Sequence, residues 1–114
     1  MKQKILLLLG AMEMHVPMIK KAKQKGIYVI TCDYIKDNPG HQLADEAYYE
    51  STTDKNAVLS LAREKNIDGI MTFCSDPAAL TVSYVAEKLG LPCNPLHAVK
   101  TLSQNDLLTL YQLF

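Results

Sequence analysis

Ile5-Leu6-Leu7-Leu8-Leu9 is an unbroken apolar run, preceded by Lys4 and closed by Gly10. A strand alternates its side chains between two faces, so a strand without a polar position must be covered on both. The run is far shorter than the ~20 apolar residues that span a bilayer. It also lacks the length of a signal-peptide core, and Met12-Glu13-Met14-His15 follows it in place of a small-residue cleavage pattern. A membrane is therefore not an expected partner, and the run is read as a strand that needs helices on both sides.

The remaining sequence supplies those helices. Pro17 stands where a first-turn proline is tolerated, opening a helix from about His15 to Lys25 with Val16, Ile19 and Ala22 on its core face. Lys20, Lys21, Lys23 and Lys25 crowd its last turns, where cations suit the helix dipole, and Gly26 stops it. Ile27 to Cys32 reads as a second strand, and Asn38-Pro39-Gly40 as a turn within the stretch Asp33 to Asp45. A short third strand is expected at Ala47-Tyr48-Tyr49, a helix from Asp54 to Lys65 with Val58, Leu61 and Ala62 inward, and a fourth strand from Gly69 to Phe73. Ser75 or Asp76 is placed to cap a third helix that Pro77 starts; Ala78, Val82, Val85, Ala86 and Leu89 form its stripe before Gly90. Leu91 to Cys93 suggests a fifth strand.

Strands buried on both faces and separated by helices predict an α/β fold: an open three-layer Rossmann-like domain with a mainly parallel sheet of about five strands. Ligands of such sheets bind beyond the carboxyl ends of the strands. That places the turns at Gly10, Asp33 and Ser75 around one crevice.

Charge and cysteine content narrow the partners. Twelve Lys and Arg balance twelve Asp and Glu, and Arg63 is the single arginine, so the concentrated basic face that nucleic acid requires is not expected. Cys32, Cys74 and Cys93 are odd in number and form no CxxC, which indicates neither a disulfide framework nor a zinc ligand set. A cytoplasmic location is the expectation. No metal site is expected within the chain, and His41 and His97 lack ligand spacing.

The C-terminal stretch points beyond the domain. Ser103-Gln104-Asn105-Asp106 resembles a capping box, and Leu107, Leu108, Leu110, Tyr111, Leu113 and Phe114 leave the helix it opens without one apolar face. The expected division is a Rossmann-like substrate-side domain over 1–102 and, over 103–114, the start of a linker helix to a missing domain. The alternatives are a helix docked on its own domain or on a homodimer mate.

Gly10-Ala11-Met12-Glu13-Met14-His15 stands where a dinucleotide fold carries GxGxxG, but Met12 and His15 replace the second and third glycines. Tight dinucleotide binding is thereby disfavoured, while a phosphate or carboxylate on the turn's amides stays open beside the plainer reading of a tight turn. Asp33 lies 23 positions after Gly10, near the ~20-residue spacing of an acid that binds ribose hydroxyls. The plainer reading is an acid that starts a turn. Ser75-Asp76-Pro77 is a helix cap whose position also faces the crevice. A thiol nucleophile built from Cys74, His15 and Asp33 is geometrically conceivable, although a free cysteine is more commonly a small buried residue. No catalytic residue is assigned.

In their order, Leu9-Gly10-Ala11, Val29 to Asp33, Asn38-Pro39-Gly40, Ala44 to Tyr48, Thr53-Asp54, Ile67 to Ile70, Ser75-Asp76 and Leu89 to Pro95 resemble the N-terminal domain of ATP-grasp ligases. Relatives of that kind include phosphoribosylamine–glycine ligase, the purine-pathway transformylase and carboxylase, and carbamoyl-phosphate synthase-like proteins. Such enzymes activate a carboxylate as an acylphosphate that an amine attacks. The resemblance implies a domain that is inert alone and lines the crevice of a small-molecule acceptor. Gly10, Ala11, Met12, Glu13, Met14, Asp33, Ser75, Asp76 and Pro77 would face that substrate. ATP and magnesium would be held mainly by later ATP-grasp domains. Relatives often carry Lys or Arg where Gln104-Asn105-Asp106 stands here, and a neutral amide cannot replace that charge, so no ATP-binding residue is assigned. Two alternatives of other classes are a free-standing nucleotide or sugar-nucleotide binding module, with Asp33 on a ribose, and a non-enzymatic homodimerising domain.

Overall fold

The structure, a computed structural model, describes residues 3–72 and 76–91, with the backbone alone at 76 and 77. The expected features at Cys74, Ser75, His97 and the helix opened by Ser103 lie outside the described residues, as does most of the expected strand over 91–93. Four strands are described: β1 (Ile5–Leu9), β2 (Tyr28–Cys32), β3 (Glu46–Tyr48) and β4 (Gly69–Thr72). They form one parallel sheet in the order β3-β2-β1-β4, with Leu7 opposite Ile30 on one side and Ile70 on the other. The chain is α/β and Rossmann-like, as expected.

The apolar run divides its side chains between two cores. Leu7 and Leu9 pack with Ile30, Ile70, Val58, Ala62, Val82 and Val85 beneath two helices, α3 (Lys55–Lys65) and α4 (Asp76–Leu89). Leu6 and Leu8 pack with Val29, Met71, Met18, Ile19 and Ala22 beneath α1 (Val16–Gln24). Period-two alternation thus explains why β1 carries no polar residue. On α1, Val16 is only half-buried, whereas Met18 is buried; Val16 opens the helix, and the buried stripe begins two residues later at Met18.

Two local features differ from the sequence reading. A 3-10 turn over Glu13–His15 precedes α1. After Asn38-Pro39 the chain forms a four-residue helix, α2 (Gly40–Leu43), too short to leave a periodic signature. Asp54 caps α3 through Oδ1, which accepts from the Ala57 amide at 3.2 Å, and Asn66 ends it in the left-handed region.

At the amino edge of the sheet, Glu46 ties β3 to β2 and α3. Its carboxylate accepts from Tyr28 Oη at 2.6 Å, Tyr48 Oη at 2.5 Å and Lys65 Nζ at 2.9 Å. The hydrogen bond from Tyr28, then those from Tyr48 and Lys65, hold its pKa down at about 2 from an ordinary 4.5. A depressed folded-state pKa contributes stability that is complete above about pH 4.5 and is lost as pH falls towards 2. The cluster is partly exposed, and after discounting for screening the loss is about 1 kcal/mol. Urea midpoints measured from pH 6 down to pH 2.5 should fall in the parent chain, and the Glu46→Gln variant should lack this component.

Candidate functional site

The helix after β1 lies on the opposite face of the sheet from the helix after β4, because α1 covers the Leu6 face and α4 the Leu7 face. The connections leaving these neighbouring strands therefore diverge, which makes the carboxyl ends of β1 and β4 the switch point at which such sheets bind ligands. Thr72 Oγ1 donates to Leu9 O at 2.7 Å and clamps the two strand ends together.

Gly10 leaves β1 with φ +122° and donates its amide to Cys32 O at 2.8 Å. A Cβ at Gly10 would lie 2.5 Å from His15 Cε1, so the missing side chain is the space that the His15 ring fills. His15 is buried, and its Nδ1 accepts from the Met12 amide at 3.2 Å. The ring folds the 3-10 turn back onto Gly10, which leaves Met12, Glu13 and Met14 exposed at its crest.

Asp33 is buried at the end of β2, and its carboxylate has three protein donors. Oδ2 accepts from the Ala11 amide at 3.1 Å and from Asn38 Nδ2 at 2.9 Å; Oδ1 accepts from the Ile35 amide at 3.1 Å. These bonds tie the β1 turn to the loop after β2. Ala11 O in turn accepts from the Gly40 amide at 2.7 Å, an approach so close that a Cβ at Gly40 would stand 2.7 Å from that oxygen. Below them, His41 Nε2 lies 3.2 Å from Asp33 O and His41 Nδ1 lies 2.8 Å from Thr31 Oγ1. A carbonyl can only accept, so Nε2 carries a proton, and in the neutral ring Nδ1 accepts from the Thr31 hydroxyl.

The amides of Ala11 and Met12 are thus already committed to Asp33 and His15. Their occupation speaks against the open reading in which this part of the turn cradles a phosphate or carboxylate. Around it stand the exposed side chains of Met12, Met14, Tyr34 and Ile35, with Glu13 among them. The structure therefore gathers Gly10 to Met14 and Asp33 at one edge; Ser75 lies outside the described residues, as do the side chains of Asp76 and Pro77. Sequence reasoning missed Thr31, Asn38, Gly40 and His41 as supports of the turn. Asn38-Pro39-Gly40 was the available signal, but it reports a turn and not the strand end that the turn meets.

Cys32, next to Asp33, is buried, and burial pushes its thiol up to about 12, so it stays protonated and unreactive at neutral pH. Among the described residues no group of three or more His, Cys, Asp or Glu side chains is arranged to hold a metal ion, and no step is assigned to magnesium. No helix among them is long and apolar enough to cross a membrane.

No protein-family profile matches the chain. It is 34% identical over 84 residues, 74% of its length, to the formate-dependent phosphoribosylglycinamide formyltransferase of Parasynechococcus marenigrum. The chain is a relative of the N-terminal, Rossmann-like domains of ATP-grasp ligases. Among ATP-grasp structures, phosphoribosylglycinamide synthetase from Anaerococcus prevotii superposes with a TM-score of 0.72 at 29% identity over 80% of the chain. N5-carboxyaminoimidazole ribonucleotide synthetase from Thermotoga maritima gives 0.70 over 96% of it, at 20% identity, a likeness of fold. The chain spans 21%, 23% and 30% of the lengths of these three proteins.

Proposed function

We propose that the chain is the substrate-side N-terminal domain of an ATP-dependent ligase of the ATP-grasp group that joins a carboxylate to an amine. The observation that carries the reading is the 34% identity to a formate-dependent phosphoribosylglycinamide formyltransferase over 84 residues. On this reading residues 1–102 form the acceptor-side wall, and 103–114 begin the link to the domains that hold ATP and magnesium. Gly10, Ala11, Met12, Glu13 and Met14 border the acceptor, with Ser75, Asp76 and Pro77 across the switch point. Glu13 is the crest residue with hydrogen-bonding capacity for an amine or hydroxyl. Asp33 contributes by fixing Ala11, since its oxygens already receive three donors.

Activation requires ATP held against the carboxylate, so these 114 residues alone should bind acceptor weakly and turn nothing over. Incubated with ATP, magnesium and a panel of amines and carboxylates, the purified chain is expected to release no ADP above a blank. Steady release would overturn the reading. Expressed from its gene with whatever coding sequence follows Phe114, the protein should show acceptor-dependent ADP release, and Glu13→Gln should raise the acceptor KM several-fold with a smaller change in kcat.

A further inference from the structure

A second concavity, with no lining residue from the β1 turn, lies between the start of α3 and the first turns of α4. Its volume is about 370 Å³, and Thr53, Lys55, Leu80, Thr81 and Tyr84 line it. Tyr84 forms one wall, fixed by its hydroxyl donating to Asn56 Oδ1 at 3.4 Å. Two ammonium groups share that ring: Lys55 Nζ is 4.8 Å from its centroid and Lys88 Nζ 5.6 Å. Among the described residues neither has a carboxylate within ion-pair distance, the ion pairs being Lys23 with Asp45 and Lys65 with Glu46. The nearest acid in sequence, Asp54, turns Oδ1 to the Ala57 amide of its own helix.

Thr81 is the independent indication. It is 3% exposed and lines this cavity, and its hydroxyl has no hydrogen-bond partner among the described residues. A buried hydroxyl without a partner costs about 1–3 kcal/mol, a cost that a ligand oxygen in the cavity would remove. The amino end of α3, eleven residues long and opening at Lys55, adds its positive dipole end.

We propose that this cavity binds the phosphate group of a small phosphomonoester. Lys55 supplies the cation of the lining, the Thr53 and Thr81 hydroxyls donate to the phosphate oxygens, and Leu80, 61% exposed, with the Tyr84 ring walls the organic part. The site shares no lining residue with the β1 turn and does not depend on the ligase reading.

Inorganic phosphate is the probe, titrated into the 15N-labelled 114-residue chain at constant ionic strength with acetate as the monoanion control. Saturable shifts are expected at the amides of residues 53–55 and 80–84, with affinity at least fivefold above that for acetate. Lys55→Met should weaken phosphate at least tenfold. Thr81→Val, which keeps shape and charge, should weaken it about threefold. Shifts that stay linear in phosphate, that fall equally on Lys20 and Lys21 of α1, or that persist unchanged in Lys55→Met would overturn the proposal, as would equal affinity for acetate.

Discussion

Gly10→Ala is expected to lower stability by about 3 kcal/mol, read as a fall in the urea midpoint with little change in slope. Two causes add. With φ at +122° the residue sits where an L side chain is strained, and the new Cβ would meet His15 Cε1 at 2.5 Å and Nε2 at 2.6 Å. The ring has little freedom to retreat, because it is buried and its Nδ1 holds the Met12 amide. Gly26→Ala is the control: φ there is +80°, but nothing stands within 4 Å of the added carbon, so strain alone should cost about 1 kcal/mol. The difference between the two variants measures the collision. In a double-mutant cycle, His15→Ala should recover a large part of it, a coupling that pure backbone strain would not produce.

The layers of this fold were legible because burial on two faces leaves a composition that no exposed strand tolerates. Ile5 to Leu9 was bounded to the residue, and α3 and α4 followed from Val58, Leu61 and Ala62 and from Ala78, Val82, Val85 and Ala86, all buried. Shorter elements were not legible. The helix over Gly40–Leu43 spans barely one turn, and its reason for existing is long-range: Gly40 must meet Ala11, 29 positions earlier, without a Cβ between them. Asp45 likewise read as the end of a loop, yet its Oδ2 accepts from the Val29 amide at 2.8 Å and helps seat β3 beside β2. The site was legible as a place and not as a set of contacts. Strand ends, a glycine and an acid mark the edge of a parallel sheet, whereas the partners of that acid depend on how three loops fold over one another.

Asp33 shows where the two kinds of information separate, and its replacement has the other large expected effect. Spacing from Gly10 made it a candidate for ribose hydroxyls; geometry gives it the Ala11, Ile35 and Asn38 donors and a buried position. Asp33→Ala strands two backbone amides and one side-chain amide, at a cost of about 3 kcal/mol. Asp33→Asn keeps one oxygen, best placed towards Ala11 and Asn38, and sets an NH2 group against the Ile35 amide, for about half that cost. A residue that served ligand alone would behave differently: Asn would leave the urea midpoint unchanged and lower affinity only. On the anchoring account both quantities move together in both variants, because the turn that borders the acceptor is held in place through Ala11. Gly40→Ala supplies the independent comparison, since it disturbs the same Ala11 from the opposite side while leaving the carboxylate intact. Acceptor affinity should fall with it too, and an affinity that dropped for Asp33→Asn but held for Gly40→Ala would return the carboxylate to direct ligand contact.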